Sequence, residues 1–198
     1  MRVVHESETE LVVWKPAGIA SELTNDPGTS MLAALRREHG PELRLCHRLD
    51  RPTCGFVVVA KTKEAAAWHG AGLAAREWRK VYVAKAPVVP LGKHRAYLKE
   101  TNRRAEIVRS GGQVAWLEVL AWRDGHALIE LFTGRRHQIR VMLAGLGAPL
   151  IGDTLYGGRP GELFLEHAWL SFPLPTGERK VCCDADAPVF GGELRERG

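Results

Sequence analysis

The most informative part of this sequence is Cys46-His47-Arg48-Leu49-Asp50-Arg51-Pro52-Thr53-Cys54-Gly55, followed directly by Phe56-Val57-Val58-Val59-Ala60-Lys61. Its first ten residues are typical of a loop, because they include proline and glycine, and the apolar run after them is typical of a buried strand. Asp50 lies between Arg48 and Arg51, whose positive charges favour an ionised carboxylate. Such an acid suits nucleophilic or general-base chemistry, and the arginines suit a polyanionic substrate. The pattern indicates chemistry on nucleic acid.

The overall charge is compatible with such a substrate. The net charge is +5, and 20 arginines stand against 8 lysines. Arginine offers a planar fork for phosphates and a flat face for stacking on bases. The arginines recur in clusters around residues 44–51, 76–80, 103–104 and 135–140. By itself this composition is equally compatible with a solvated, arginine-rich surface that binds nothing.

The length allows one large domain or two small ones. If the chain divides into subdomains, these are expected at about residues 1–88 and 89–198. No run of about 18 apolar residues is present, which argues against a membrane span. The N-terminus lacks the apolar core of a secretion signal. The sequence therefore predicts a cytoplasmic protein that does not bind membranes.

The four cysteines do not predict a metal site. Cys182 and Cys183 are adjacent, and Cys46 and Cys54 are far from them in sequence, so no paired C-x-x-C elements occur. Zinc binding through Cys46, His47 and Cys54 is an alternative that this spacing does not favour. We expect reduced, unligated thiols and no metal or other cofactor.

The order of predicted elements indicates an α+β fold. Helices are predicted after a cap at Thr29 or Ser30, and from a cap at Thr62 to about Glu77. An apolar pattern predicts a third helix after Gly134 that ends at Gly147. Asp124-Gly125 predicts a two-residue hairpin turn. Strands are predicted around residues 11–14, 56–61, 81–84, 105–109, 113–122, 126–132, 163–165, 169–172 and 180–183. Such a pattern is typical of a mixed, mostly antiparallel sheet flanked by helices.

Several ordered motifs resemble the RluA family of RNA pseudouridine synthases. His47-Arg48-Leu49-Asp50 with Thr53 and Gly55 resembles the active-site motif of that family. The other matching segments, in family order, are Lys15-Pro16-Ala17-Gly18, Lys80-Val81-Tyr82, Gly134-Arg135-Arg136-His137-Gln138-Ile139-Arg140, Leu150-Ile151-Gly152-Asp153, Leu155-Tyr156-Gly157 and His167-Ala168-Trp169-Leu170-Ser171-Phe172-Pro173. They extend from about residue 11 to residue 175, which is nearly the whole chain. The resemblance therefore implies a single catalytic domain over residues 1–198, and no separate N-terminal RNA-binding domain is expected.

The resemblance implies a fold, a reaction and three catalytic residues. The fold would be a pseudouridine-synthase-like core with a central active-site cleft. The reaction would isomerise specific uridines in structured rRNA or tRNA to pseudouridine, without a cofactor. Asp50 would be the nucleophile or base, and Arg140 would be its electrostatic partner. Tyr82 would stack on the uracil, whose flipping out of the RNA costs a few kcal/mol.

The resemblance also implies RNA contacts. Arg48 would fill the gap that the flipped base leaves, and Arg135 and His137 would lie in the RNA-binding face. Lys15 would support the cleft. The partner would be an rRNA or tRNA stem-loop, and the protein is expected to act as a monomer.

The chain departs from the family pattern at three positions. Cys54 stands where the family often has serine, Arg136 where it often has threonine, and Met142 where it often has histidine. None of these changes removes Asp50 or Tyr82. Arg136 adds a positive charge that is expected to face RNA and to influence the choice of substrate.

Two other functions remain open at the level of sequence. One is an RNA-binding module without catalysis, against which the intact Asp50, Tyr82 and Arg140 argue. The other is a glycoside hydrolase that uses Asp50 with a second acid such as Glu130. That reaction needs two carboxyl groups about 5–9.5 Å apart, and only Asp50 lies in a recognisable motif.

Overall fold

The computed structural model describes residues 1–197, which fall into two compact units. The first unit contains residues 1–78 and 170–182, and the second contains residues 79–169 and 183 onward. The strands Leu165–Pro173 and Arg179–Cys183 therefore each contribute residues to both units. Neither unit is a continuous piece of chain.

The first unit contains two helices and an antiparallel set of strands. Its elements are β1 (Arg2–Glu6), β2 (Glu10–Lys15), α1 (Met31–His39), β3 (Arg44–Leu45), β4 (Cys54–Ala60) and α2 (Lys63–Ala74). Strand β2 pairs antiparallel with β1 on one side and with β4 on the other, and β3 also pairs with β4. In β4 every residue from Phe56 to Ala60 is buried, as expected of an uninterrupted apolar strand.

Both predicted helix caps of this unit are present. The Ser30 side chain accepts a hydrogen bond from the Ala33 N–H, and Thr62 accepts one from the Ala65 N–H. These side chains satisfy backbone donors that the first helical turn leaves without partners. In the sequence, α1 precedes the 46–55 loop and α2 follows it.

The sheet of the second unit includes five antiparallel strands in the order β5-β9-β8-β6-β7, and β10 lies next to β5. Its elements are β5 (Arg79–Lys85), β6 (Gly92–Glu100), β7 (Ala105–Val108), β8 (Gln113–Arg123), β9 (His126–Leu131), α3 (Gln138–Gly145), the first part of β10 (Leu165–Pro173), the end of β11 (Arg179–Cys183) and α4 (Gly191–Arg195). Asp124 and Gly125 form the turn between β8 and β9 with φ values of 46° and 73°. The predicted hairpin is confirmed.

The strand registers divide this sheet into two faces. Tyr82 pairs with Ile129, and Val119 pairs with Ile129 from the other side, so these side chains share a face. Helix α3 packs on this face. Its Gly145 lies so close to Ile107 of β7 that a Cβ at this position would collide with Ile107 Cδ1. We call this face the helix face. The opposite, outer face is covered at β5 and β9 by a core cluster that contains Val81, Val83, Leu128, Trp169, Phe190 and Leu194.

A buried carboxyl lies on β10 in this unit. Glu166 is only 3 % exposed. Burial, and the charge and hydrogen bond of the nearby Asp184, raise the pKa of Glu166 to about 8. An unfolded glutamate has a pKa near 4.3. Between these values the folded state holds the proton and the unfolded state does not, so Glu166 makes folding less favourable as pH rises from about 5 to 8.

Glu166→Gln is therefore expected to stabilise the protein at pH 8 by on the order of 2 kcal/mol and to change little at pH 4.5. The measurement is urea unfolding across this pH range for the wild type and the variant. Glu162→Gln, at an exposed position, is the matched control and should leave the pH dependence unchanged. A constant difference between the wild type and Glu166→Gln at all pH values would contradict the assigned pKa.

The predicted α+β class with mostly antiparallel strands is confirmed, although some elements differ. Strands β1 and β6 were not predicted, since most of their residues are exposed and lack an apolar pattern. The strand predicted at 163–165 begins only at Leu165. Helix α2 was predicted to reach about Glu77 but ends at Ala74, because Arg76 adopts a left-handed φ of 61°. Within residues 1–197, no helix combines the length and apolarity needed to cross a bilayer.

Candidate active site

Asp50 lies in a loop of the first unit that main-chain hydrogen bonds hold in place. The Ser21 hydroxyl donates to the Leu49 carbonyl oxygen (2.8 Å) and accepts from the Leu49 N–H (3.0 Å). The Thr53 N–H donates to the Asp50 carbonyl oxygen (3.0 Å). Ser21, Leu49 and Thr53 are buried, and Asp50 is half-buried. Main-chain hydrogen bonds thus hold the backbone at and next to Asp50.

Lys15 supports the same loop through hydrogen bonds from its side chain. Its side chain is fully buried, and Nζ donates to the carbonyl oxygens of Pro16 (3.0 Å), Ile19 (2.9 Å) and Arg51 (3.3 Å). Burial lowers the pKa of Lys15 to about 8, although the charges of Cys54 and Asp50 act in the opposite direction. The predicted supporting role has this physical form: one ammonium group joins the 16–19 turn to the Asp50 loop.

Arg48 occupies an exposed position on this loop. Its guanidinium forms an ion pair with Glu22, with 2.5 Å between Nη1 and Oε2, and about half of each side chain is exposed. Exposed ion pairs contribute only about 0–1 kcal/mol. The pair therefore adds little to the stability of the loop.

Tyr82 lies on β5 in the second unit and is 6 % exposed. Its ring stacks on the imidazole of His167, with 4.5 Å between centroids and 12° between planes. Two residues earlier on the same face of β5, the amine of Lys80 is also buried, and burial lowers its pKa to about 8. An aromatic pair and a buried amine thus lie near each other on the helix face.

Arg140 is buried in α3 and forms a bidentate ion pair with Asp153. The distance from Nε to Oδ2 is 2.7 Å, and from Nη2 to Oδ1 it is 2.8 Å. Asp153 is 2 % exposed. A bidentate pair fixes the plane of the guanidinium. It uses two of the five N–H donors of Arg140, so it does not exhaust the capacity of this group to bind further anions.

Tyr156 links Arg140 to the start of α3. The guanidinium carbon of Arg140 lies 5.3 Å from the centroid of the Tyr156 ring. The Tyr156 hydroxyl is 2.8 Å from Nδ1 of His137 and also accepts a hydrogen bond from the Ala105 N–H (3.0 Å). His137 itself adopts a left-handed φ of 52° immediately before the helix. Ring, imidazole and guanidinium therefore form one connected set of contacts.

The residues around His137 are held by backbone carbonyls. Arg135 Nε donates to the Val114 carbonyl oxygen (3.2 Å). The Arg136 guanidinium donates to the carbonyl oxygens of Thr101 (3.0 Å) and Arg103 (3.4 Å), and its expected orientation toward RNA stays a prediction. Arg136, which stands where the family often has threonine, therefore stabilises the turn between β6 and β7.

The cysteines offer little for a metal. All four carry free thiols. Burial raises the pKa of the Cys46 thiol to about 12, so it stays protonated at neutral pH and is a poor ligand. Within residues 1–197, no group of three or more His, Cys, Asp or Glu side chains is placed to hold a metal ion.

The predicted site residues are distributed over both units. Asp50 and Arg48 belong to the first unit, and Tyr82, Arg135, His137 and Arg140 belong to the second. The second unit places Tyr82 on the sheet face against which α3 packs. Pairing of Asp50 with Arg140, and stacking of Tyr82 on a base, stay predictions.

Sequence reasoning gave no role to several residues that this geometry brings forward. These are Ser21, Lys80, Asp153, Tyr156 and His167. Four of the five lie in segments that resemble the family, but the sequence does not show which residues they contact. Ser21 lies outside those motifs, and nothing local in the sequence links it to residue 49.

Comparison with known proteins identifies the family. A family model for RNA pseudouridylate synthase matches residues 10–145. An uncharacterised RNA pseudouridine synthase of Bacillus subtilis is 37% identical over 178 residues, which cover 79% of this chain and 57% of the relative. The ribosomal large subunit pseudouridine synthase D of Pseudomonas aeruginosa is 35% identical over 178 residues, with coverage of 80% and 54%. The chain thus spans slightly more than half the length of these curated relatives.

Comparison with solved structures identifies the same family. The human RNA pseudouridylate synthase domain containing 4 has a TM-score of 0.70 and 26% identity, covering 99% of this chain and 92% of that one. The human RNA pseudouridylate synthase domain containing 1 has a TM-score of 0.71 and 25% identity, with coverage of 96% and 84%. The matched residues 10–145 include Asp50, Tyr82 and Arg140. The resemblance drawn from the motifs is confirmed, and the chain belongs to the RNA pseudouridylate synthase family.

Proposed function

We propose that this protein isomerises specific uridines in structured RNA to pseudouridine. The observation that carries the proposal is Asp50 in its motif, on a loop that Ser21 and Lys15 hold in place, within the region that the family model matches. The bond between N1 of uracil and C1′ of ribose breaks, and a bond between C5 and C1′ forms. C5 loses a proton and N1 gains one. The reaction is therefore balanced without a cofactor.

The roles proposed for the side chains follow from their chemistry. Asp50 attacks the sugar, attacks the ring, or removes a ribose proton, and each of these steps requires an ionised carboxylate. Arg140 is the electrostatic partner of Asp50 and stabilises the charge that develops during the reaction. Tyr82 stacks on the uracil, which tolerates rotation of the detached base. The Arg48 side chain leaves its ion pair with Glu22 and fills the space that the flipped base vacates in the RNA. Arg135 and His137 support the RNA-binding face.

Ribosomal RNA is the substrate class that we favour over tRNA. The support is the name of the curated relatives in Pseudomonas aeruginosa, Xylella fastidiosa and Xanthomonas campestris, which are ribosomal large subunit enzymes. A stem-loop is the favoured target, because flipping a base costs less where pairing is interrupted. We further propose that the protein acts in the cytoplasm as a monomer.

The test uses purified protein and unmodified transcripts of large-subunit rRNA, small-subunit rRNA and a tRNA pool. Carbodiimide labelling with primer extension maps pseudouridine at single-nucleotide resolution. We expect new stops at one or a few uridines in large-subunit rRNA. RNA binding without any stop would instead identify a binding module, and release of free uracil would identify a glycosidase.

A further inference from the structure

Strand β6 carries a basic and aromatic stripe on the outer face of the second unit. The stripe consists of Lys93, Arg95, Tyr97 and Lys99, which alternate along the strand and are all exposed. Residues two apart in a strand project from the same face. This face is the one opposite to Tyr82, since the β6–β8 register pairs Gly92 with Val119 and Lys93 with Glu118.

Neighbouring strands extend the stripe with further aromatic side chains. Arg95 pairs with Trp116 on β8, so the indole lies beside it on the same face. The Trp116 ring is 4.9 Å from the ring of Phe132. Trp116 and Phe132 are half-buried, whereas Tyr97 is 40% exposed. Three aromatic rings therefore lie along one solvent-accessible part of the sheet.

Contacts within the stripe hold Tyr97 and Arg95 together. The Arg95 guanidinium carbon is 5.4 Å from the Tyr97 ring centroid, and Nη2 donates to the Tyr97 hydroxyl (3.2 Å). Such a contact orders two side chains that would otherwise be mobile on the surface. Less conformational entropy is then lost when a ligand binds to them.

The charge of this surface favours an anionic partner. Lys93, Arg95 and Lys99 are joined by Arg104, which precedes β7. Three carboxylates share the face: Glu118 opposite Lys93, Glu106, which pairs with Arg104 Nε at 2.9 Å, and Glu130, which pairs with Arg79 Nε at 2.9 Å. The positive charges outnumber the negative ones, and Arg95 lies over the exposed aromatic ring.

We propose that this stripe binds a single-stranded segment of RNA, as a second contact surface distinct from the helix face that carries Tyr82. Bases stack on Tyr97 and Trp116, and Lys93, Arg95 and Lys99 contact phosphates. Exposed aromatic rings and basic side chains on one sheet face are the combination that single strands require, because each base has a stacking face and each phosphate a charge. The inference depends on the proposed function only in taking RNA as the substrate.

The test uses a fluorescein-labelled RNA of twelve adenosines, which contains no uridine to be processed. Its binding is measured by fluorescence anisotropy at several KCl concentrations. Tyr97→Ala is expected to weaken binding about tenfold, and Tyr97→Phe should stay close to the wild type. Arg95→Ala/Lys99→Ala should lower the slope of log K against log salt by about 1.4. Lys63→Ala, on the exposed side of α2, is the charge control and should keep the wild-type slope.

The outcomes separate this surface from the catalytic proposal. Isomerisation of a short stem-loop should proceed at the wild-type rate in Tyr97→Ala, whereas a substrate with a single-stranded flank should show a raised KM. Equal binding of the adenosine RNA by the wild type and Tyr97→Ala would overturn the proposal that the stripe binds RNA, but not the proposed isomerase activity. Sedimentation showing a wild-type dimer that Tyr97→Ala dissociates would assign the face to a second copy, and would also overturn the RNA proposal.

Discussion

Asp50→Asn is expected to abolish pseudouridine formation, with a loss of at least about a thousandfold in single-turnover rate. The amide has nearly the same size as the carboxylate but can neither attack carbon nor remove a proton. The main-chain bonds from Ser21 and Thr53 do not involve the Asp50 side chain, so the loop should keep its conformation. RNA binding should therefore remain close to that of the wild type.

The matched control for this change is Asp124→Asn. Asp124 is an exposed residue with a left-handed φ in the β8–β9 turn, where asparagine is equally well accommodated. It should keep full activity and stability. Carbodiimide mapping measures turnover, and filter binding measures affinity for the same transcript. Normal turnover by Asp50→Asn would show that the catalytic acid lies elsewhere.

Arg140→Met is expected to inactivate the protein and to destabilise it by about 3–5 kcal/mol. The loss of stability has a specific cause, since the variant leaves the carboxylate of Asp153 buried without its bidentate partner. The loss of activity, at least about a hundredfold, is expected because the variant removes the positive charge that we propose as the electrostatic partner of Asp50. A single substitution cannot separate these two effects.

The double variant Arg140→Met/Asp153→Leu separates them. Replacing both members of a buried ion pair with apolar side chains often restores stability, so urea unfolding should recover most of the loss. Activity should stay absent. Arg123→Met, which breaks an exposed ion pair with Glu193, should cost less than about 1 kcal/mol and leave turnover unchanged. If the double variant were active, Arg140 would have only a structural role.

Local features of the fold were predictable where a short stretch of sequence determines them. Ser30 and Thr62 cap helices by bonding to N–H groups three residues away, and Asp124-Gly125 closes a two-residue turn. Family and reaction class were predictable because the motifs keep their order along the chain. Strand β6 was missed because its alternation is one of charged and exposed residues rather than of apolar and polar ones.

The site was harder to predict where a contact spans a long stretch of sequence. Asp153 was quoted as part of a motif, but its pairing with Arg140 depends on how the 146–153 segment returns to α3. The hydrogen bonds from Arg136 to the 101–103 turn depend on the position of a hairpin more than thirty residues earlier. Such contacts are tertiary and leave no local pattern.

The division of the chain has a consequence for its synthesis on the ribosome. Leu170 and Phe172 pack with Val12 and Phe56 in the core of the first unit. That core cannot be completed when residue 78 has been translated, because its last members follow more than ninety residues later. At about 5–20 residues per second, the nascent N-terminal part waits on the order of 10 s with apolar surface uncovered. A ribosome stalled within residues 79–169 should therefore carry a protease-sensitive chain that chaperones recognise.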